Sequence, residues 1–303
     1  MNFEPYLEHL AINKRCSPQT LRAYRSDLKL FGVFAEQQSI TRVAQVDHVA
    51  IRRYIEHMRQ KDNPRFAQAG LSDASIARRL AALNGYFEYV RATDDHKLRN
   101  PLRELSNRWR KNDQPKPVDE VTLDSLLEGV TNERDRVLFS LFLATGLRVS
   151  EMHQLNRDSI KIEVTTNALG EEQILGRGEV IGKGAKRRTF YVDEATLMNY
   201  ADYICHREDQ HEALFLSERK QRMSVRAIQD TLKVWCRRLG LEHVNVHRLR
   251  HSFATRLANS NINSLVLKDL MGHASFSTTA KYFKLTDTTL ARGYFSAMEY
   301  LKG

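Results

Sequence analysis

Residues 247–255 read His-Arg-Leu-Arg-His-Ser-Phe-Ala-Thr. Helical spacing places His247, Arg250 and His251 on one face of a helix and leaves the apolar residues of the stretch for a core. Two histidines four residues apart can bind zinc, but the glutamate of a metalloprotease helix and an obvious third ligand are absent. The stretch therefore predicts a core-anchored helix that presents two histidines and an arginine together without a metal.

A second stretch precedes it in the chain. Residues 137–144 are apolar on nearly all sides and predict a buried helix that Gly146 ends as a C-cap. We expect Ser150 to cap a short helix that runs through Leu155.

Arg148 follows this buried helix directly, where a cation is costly unless it has an anion to hold. An ion pair with Glu151, at helical spacing, is one explanation, and a bound anion is the other.

Residues 180–188 read Val-Ile-Gly-Lys-Gly-Ala-Lys-Arg-Arg, a glycine-rich turn with four cations between two predicted strands. Glycines allow the backbone to bend sharply and to approach a ligand closely. No Gly-Lys-Ser/Thr follows, so the turn is not a P-loop. For residues 186–188 a solvated turn is an equally good interpretation.

The last stretch, residues 270–275, reads Leu-Met-Gly-His-Ala-Ser, and Tyr282 follows its histidine by nine residues. A histidine and a tyrosine at this spacing indicate nothing by themselves. The chain has 11 tyrosines, and the common fate of a tyrosine is a half-buried position.

Composition and charge point to a polyanionic partner. The 303 residues carry a net charge of +10, and residues 1–110 hold 19 Lys and Arg against 12 Asp and Glu. Phosphate neutralisation and counterion release favour nucleic acid as the partner of such a chain. No apolar run reaches the length of a membrane span, and the N-terminus lacks the features of a signal peptide. With three dispersed cysteines, we expect a cytoplasmic protein with no membrane partner.

The pattern of elements predicts two domains. Residues 1–108 read as helices, with starts at Ser17-Pro18 and near Ser72 or Ser75 and a third helix over 46–58. Residues 109–117 are polar and contain two prolines, which predicts a linker. Residues 118–303 read as helices around one small antiparallel sheet between residues 160 and 192. The fold class is therefore mainly α with a small antiparallel β-sheet.

In this order, arginine, turn lysine, His-x-x-Arg, Gly-His and tyrosine strongly resemble the tyrosine recombinase (phage integrase) family, and within it the bacterial Xer type. The resemblance covers nearly the whole chain. It implies a helical, SAM-like core-binding domain, with Ser-Pro-Gln-Thr at 17–20 in its first helix, followed by a C-terminal α+β catalytic domain. Residues 165–178 are longer than in the compact Xer pattern, which leaves the geometry of the turn lysine open.

The resemblance implies a role for each matching residue. Two arginines would hold the phosphate, a lysine would be the acid, and one histidine the base. A second histidine would bond a phosphate oxygen, and a tyrosine would be the nucleophile of a 3′-phosphotyrosyl intermediate. These residues are, in the same order, Arg148 and Arg250, Lys183, His247, His273 and Tyr282. Glu151 would orient an arginine or a histidine, Lys186 could substitute for Lys183, and neither ATP nor a metal would be needed.

Residues of the helical domain and of the turn are expected to contact DNA phosphates. They are Thr20, Arg22, Arg25, Arg52, Arg53, Arg78, Arg79, Lys186 and Arg187.

The expected partners are double-stranded DNA with a specific recombination site and either further copies of this chain, as a tetramer on two sites, or a second related recombinase. An apolar stripe of Leu290, Tyr294, Met298 and Leu301 favours docking of the tail on a neighbouring protomer. Two alternatives stay open: a type IB topoisomerase-like enzyme that relaxes one duplex, and a non-catalytic DNA-binding relative.

Overall fold

A computed structural model divides the chain into two compact units, Met1–Asp113 and Gln114–Gly303. It describes residues 1–60, 70–103, 117–166, 170–182, 186–242, 244–260, 262–273 and 275–283, with residues 294, 295 and 298 of the tail. The proposed linker 109–117 lies outside this range except for Pro117, and so do Leu290 and Leu301 of the tail stripe. Among the residues described, no helix combines the length and the apolar character that crossing a membrane requires.

The first unit is helical, as predicted. It consists of α1 (Glu4–Ile12), α2 (Pro18–Gln37), α3 (His48–Gln60) and α4 (Asp73–Thr93), with a short 3-10 turn at Val43–Gln45. The hydroxyl oxygens of Ser17 and Ser72 accept the amides of Thr20 and Ser75, which confirms the predicted starts of α2 and α4. Aromatic residues such as Phe31, Tyr54 and Phe87 fill the core.

The second unit contains the predicted sheet. Strands β1 (Ile160–Thr166), β2 (Glu172–Ile181) and β3 (Arg187–Val192) pair antiparallel in the order β1-β2-β3. At the far end of β1 and β2, Val164 faces Ile174, and both side chains are exposed. Strands β1 and β2 thus extend beyond the core, which only the end near Ile160 and Val180 covers.

Eight helices of the second unit are described. They are α5 (Glu120–Gly129), α6 (Glu133–Thr145), α7 (Val149–Gln154), α8 (Glu194–Cys205), α9 (Val225–Arg238), α10 (Val246–Asn259), α11 (Ser264–Met271) and α12 (Phe276–Ala280). Helix α6 is the central element, because Leu138, Phe139, Leu141 and Phe142 have no exposed surface. Gly146 ends it in the left-handed conformation (φ 56°), as predicted.

The predicted cap of α7 is wrong. The helix begins at Val149, so Ser150 lies inside its first turn and Arg148 is the N-cap residue. The Arg148 amide donates to Glu151 Oε2 (2.8 Å), which is the reverse half of a capping box. A carboxylate three residues into the helix therefore does the capping that a serine hydroxyl was expected to do.

Helix α10 is tied to the start of the second unit. Arg248 donates to the Pro117 carbonyl, and the Val118 amide donates to Ser252 Oγ, each at 2.9 Å. Leu249, which has no exposed surface, anchors the helix in the core. The helix that carries His247 and Arg250 is thereby held by hydrogen bonds and by core packing.

Candidate active site

The end of α11 is the point at which the separate stretches meet. Three arginines donate to the carbonyls of three consecutive residues there: Arg188 to Leu270, Arg250 to Met271, and Arg148 to Gly272 (2.9 Å). The last carbonyls of a helix have no partner inside the helix and carry partial negative charge. The helix end therefore provides the acceptors that gather three cations from distant segments.

Glu151 lies between two of these arginines. Its side chain is 2% exposed and accepts hydrogen bonds from Arg148 Nη1 (2.8 Å) and Arg188 Nη2 (2.7 Å). Burial alone would raise the pKa of this carboxyl, but the hydrogen bonds and charges of Arg188 and Arg148 outweigh it and lower the pKa. Glu151 is thus a buried anion between two arginines, and its expected role in orienting Arg148 stays a prediction.

Arg250 is buried on α10 and donates to the Gly146 carbonyl as well as to Met271. Burial, followed by repulsion from Arg148 and Arg188, lowers its pKa. The carbonyl of the C-cap glycine of α6 and the end of α11 thus hold the same guanidinium group.

Tyr282 packs against two histidines. Its ring meets the edge of His251 at 4.8 Å between centroids and lies parallel to His273 (6.2 Å, 9°). His247 is next to His251, with 5.9 Å between ring centroids. Burial raises the pKa of the Tyr282 phenol, and the charge of Arg250 opposes this rise. The phenol is therefore protonated at neutral pH.

The histidines around Tyr282 are all neutral at neutral pH. Burial is the main cause that lowers the pKa of His247, and the charges of nearby arginines are the second. The same two causes lower the pKa of His273 to about 4. Burial, followed by His247, lowers the pKa of His251. Nδ1 of His273 pairs with Thr279 Oγ1 (2.8 Å), which holds the ring in place.

Five of the six predicted catalytic residues thus come together, and Lys183 lies outside the described residues. Its neighbour Gly182 donates to the Lys186 carbonyl (2.8 Å), which closes the turn. A Cβ atom on Gly182 would lie 3.2 Å from Glu151 Oε1. Gly182, the residue before Lys183, therefore lies beside the Glu151–Arg148 pair. Within the described ranges, no group of His, Cys, Asp and Glu residues has the arrangement of a metal site.

Arg188 was not identified as a site residue from the sequence. Lys186 and Arg187 are exposed, as a solvated turn predicts, although Arg187 is already the first residue of β3. The interpretation is wrong for Arg188, which is 8% exposed. The signal was present in the alternation of β3, where Arg188 precedes the inward-facing Phe190 and Val192 by two and four residues.

The expected DNA contacts of the first unit differ in their surroundings. Arg22, Arg52 and Arg53 are exposed, and Thr20 lies beside the Ser17 cap. The others are ion-paired: Arg25 with Glu4, and Arg78 and Arg79 with the buried Asp27. Their contact with DNA stays a prediction.

Comparison with known proteins identifies the family. Residues 118–289 match the phage integrase family, and residues 3–93 match the N-terminal SAM-like domain of phage integrases. Proteins named tyrosine recombinase XerC are 30% identical to this chain. The match covers 93% of this chain and 92% of the protein from Actinobacillus succinogenes, and 97% and 95% for that from Shigella flexneri. The chain belongs to the phage integrase family. This membership confirms the expected enzyme class, a tyrosine recombinase.

Solved structures share the fold. The integrase of transposon Tn1549 in complex with transposon right end DNA has a TM-score of 0.74 at 18% identity over 98% of each chain. The XerH site-specific recombinase bound to its difH substrate has a TM-score of 0.65 at 21% identity, over 95% of this chain and 83% of that one. The predicted architecture of a SAM-like helical domain followed by an α+β catalytic domain is confirmed.

Proposed function

We propose that this phage integrase family member is a site-specific recombinase that cuts and rejoins double-stranded DNA through Tyr282. One observation carries the proposal: Arg148 and Arg250 converge on the carbonyls directly before His273, and Tyr282 stacks on His273. A phenol beside two guanidinium groups is suited to attack a phosphodiester.

The reaction is an exchange of one ester for another. The Tyr282 oxygen bonds to phosphorus, the bond to the 5′ oxygen breaks, and a 3′-phosphotyrosyl link and a 5′ hydroxyl result. Arg148 and Arg250 stabilise the charge that develops on the non-bridging oxygens. The hydrogen bonds named above use two of the five N–H donors of each guanidinium, so donors remain for the phosphate. The reverse attack by a 5′ hydroxyl rejoins DNA without ATP.

Proton transfer follows from the protonation states. The Tyr282 proton must leave, and the neutral His247 is the base that the lowered pKa makes available. The departing 5′ oxygen needs a proton, for which Lys183 is the acid, with Lys186 as its substitute on the same turn. His273 donates to a phosphate oxygen, and Glu151 holds Arg148 in place.

Strand exchange between two sites requires several active sites at once. We place this chain in a tetramer on two DNA sites, built from its own copies or with a second related recombinase. Two observations support assembly on DNA: the structural relatives include a lambda integrase dimer bound to a core site, and Tyr294 in the tail is exposed. The phosphate contacts expected in domain 1–108 and in domain 118–303 would hold the duplex.

Covalent capture tests the nucleophile. Protein is incubated with fragmented genomic DNA of its source and stopped with SDS, and the DNA joined to protein is sequenced to recover the site. Wild type and Tyr191→Phe, a matched change at an exposed tyrosine of β3, should form 3′ adducts. Tyr282→Phe should bind the recovered site and form none.

Two results would contradict the proposal. If wild type forms no adduct on any fragment, the chain is a non-catalytic DNA-binding relative. If wild type relaxes supercoiled plasmids that lack the recovered site and yields no recombinants from plasmids carrying two copies, it is a topoisomerase.

A further inference from the structure

Arg188 is the least exposed arginine of the site after Arg250 and has no part in the chemistry above. Its side chain is 6% exposed, and it joins two elements of the site. From β3 it donates to Glu151 in α7 and to the Leu270 carbonyl at the end of α11. Its Nη1 and Nη2 atoms make these bonds, whereas Nε is buried without a hydrogen-bond partner among the described residues. A buried guanidinium is costly unless an anion compensates its charge, and Glu151 is that anion.

The charges around Glu151 show what Arg188 contributes. The carboxylate is buried between Arg148 and Arg188, with one oxygen closest to each guanidinium. With both arginines present, the three groups carry one net positive charge. Without Arg188, Glu151 would cancel the charge of Arg148. Arg250 would then carry the one net positive charge of the three groups that remain.

The position of Arg188 has a geometric consequence as well. It lies five residues after Lys183, so the strand that it anchors is the one that leaves the lysine turn. A Cβ atom on Gly272 would lie 2.7 Å from Arg188 Cδ, so the chain just before His273 rests on this side chain. Arg188 therefore links the carboxylate that caps Arg148 to the approach to His273.

We propose that Arg188 is a positioning residue for the strand-cleavage reaction: it neutralises Glu151 so that the carboxylate orients Arg148 without cancelling its charge. This inference rests on the proposed function of the same site. The substrate class that it serves is the scissile phosphodiester, and Arg188 acts on it through Arg148.

A double-mutant cycle tests this role. The variants Arg188→Met, Glu151→Gln and the double variant are compared with wild type. The probe is a nicked duplex built on the site that adduct mapping recovers, and the measurement is the single-turnover rate of 3′ adduct formation at saturating protein. Arg188→Met should lower this rate about 100-fold, as loss of a charge-stabilising group does. In the Glu151→Gln background, Arg188→Met should change the rate of adduct formation by no more than about twofold, which is the usual error of such cycles.

Controls separate positioning from stability. Arg226→Met removes an exposed arginine that is paired with Asp230, and it should cleave like wild type. Arg188→Lys keeps the charge and should form the adduct at least about tenfold faster than Arg188→Met. Arg188→Met leaves the Glu151 carboxylate buried without one of its partners and could fail to fold for that reason. The rates of Glu151→Gln and of the double variant then still test the inference, because neither protein contains that carboxylate.

Two results would overturn the inference. In the first, Arg188→Met cleaves at the wild-type rate. In the second, the double variant is much slower than Glu151→Gln, as it is when the loss is the same in both backgrounds. Equal loss in both backgrounds would mean that Arg188 acts only as structural support. These outcomes differ from failure of the proposed function, in which wild type itself forms no adduct.

Discussion

Acid should destabilise the second unit through His273. The unfolded chain holds this histidine near its ordinary pKa of 6.5, whereas burial and then Arg250, Arg148 and Arg188 lower it to about 4 in the fold. Below pH 6.5 the unfolded state therefore binds the proton first, so stability is complete above pH 6.5 and falls as the pH drops toward 4. At about 1.4 kcal/mol per pH unit, the gap corresponds to about 3 kcal/mol at most.

A tryptophan reporter isolates this effect. The chain has two tryptophans, and Trp109→Phe leaves Trp235, whose indole donates to the buried Asp135 in the second unit (2.8 Å). Urea unfolding followed by Trp235 fluorescence is measured from pH 7.5 to pH 4.5, with and without His273→Gln. The variant should lose about 2 kcal/mol less than its parent over this range, because its side chain binds no proton.

The matched control is His206→Gln, which alters an exposed histidine paired with Glu133. Carboxylates that titrate in the same range contribute equally to each protein and cancel in the comparison. Parallel stability curves for His273→Gln and its parent would refute the reasoning, since His273 would then titrate alike in the folded and unfolded chain.

Substitutions at three further positions test the framework of the fold. Gly146→Ala should cost about 1–3 kcal/mol by the same fluorescence assay, because the position has a φ of 56° and the new Cβ would overlap the Phe253 ring; an unchanged urea midpoint would contradict this. Ser252→Ala should cost about 1–3 kcal/mol in the same assay, since the buried Val118 amide loses its acceptor, and Ser252→Cys should cost less. Burial raises the pKa of Asp27 and outweighs Arg78 and Arg79, which lower it, so the ion pairs add little net stability. Asp27→Asn should therefore change the protection of α4 amides in hydrogen exchange by less than about 1 kcal/mol, and a larger loss would show that the charge itself is needed.

The sequence predicted those parts of the fold in which local chemistry is decisive. Ser17 and Ser72 cap helices because a hydroxyl in that position meets a free amide, and Gly146 ends α6 because its φ is positive. The motif residues identified the family because their types and order are specific. The structure then places five of the six side chains together, although they come from separate helices and loops.

Features that depend on tertiary contacts could not be predicted in this way. The end of α11 gathers Arg148, Arg188 and Arg250, which lie 124, 82 and 21 residues from their carbonyl partners. No local pattern indicates which carbonyls a distant guanidinium will meet. The cap of α7 was missed for a related reason. A serine such as Ser150 is the usual capping residue, but Glu151 caps this helix and is held in place by Arg188 of strand β3.

The site carries more positive than negative charge, so an anionic substrate would balance it. Arg148, Arg188 and Arg250 outnumber Glu151, and the neutral histidines around Tyr282 supply no counter-charge. Partial negative charge on the carbonyls at the end of α11 compensates the excess only in part, because helix-end dipoles are worth at most about 2 kcal/mol. In the proposed function a phosphodiester supplies the missing anion, and its charge would stabilise His247 once this residue has taken the Tyr282 proton. The excess of cations that burdens the free fold would thus bind the phosphate, and the bound phosphate would offset the arginines that lower the pKa of His247.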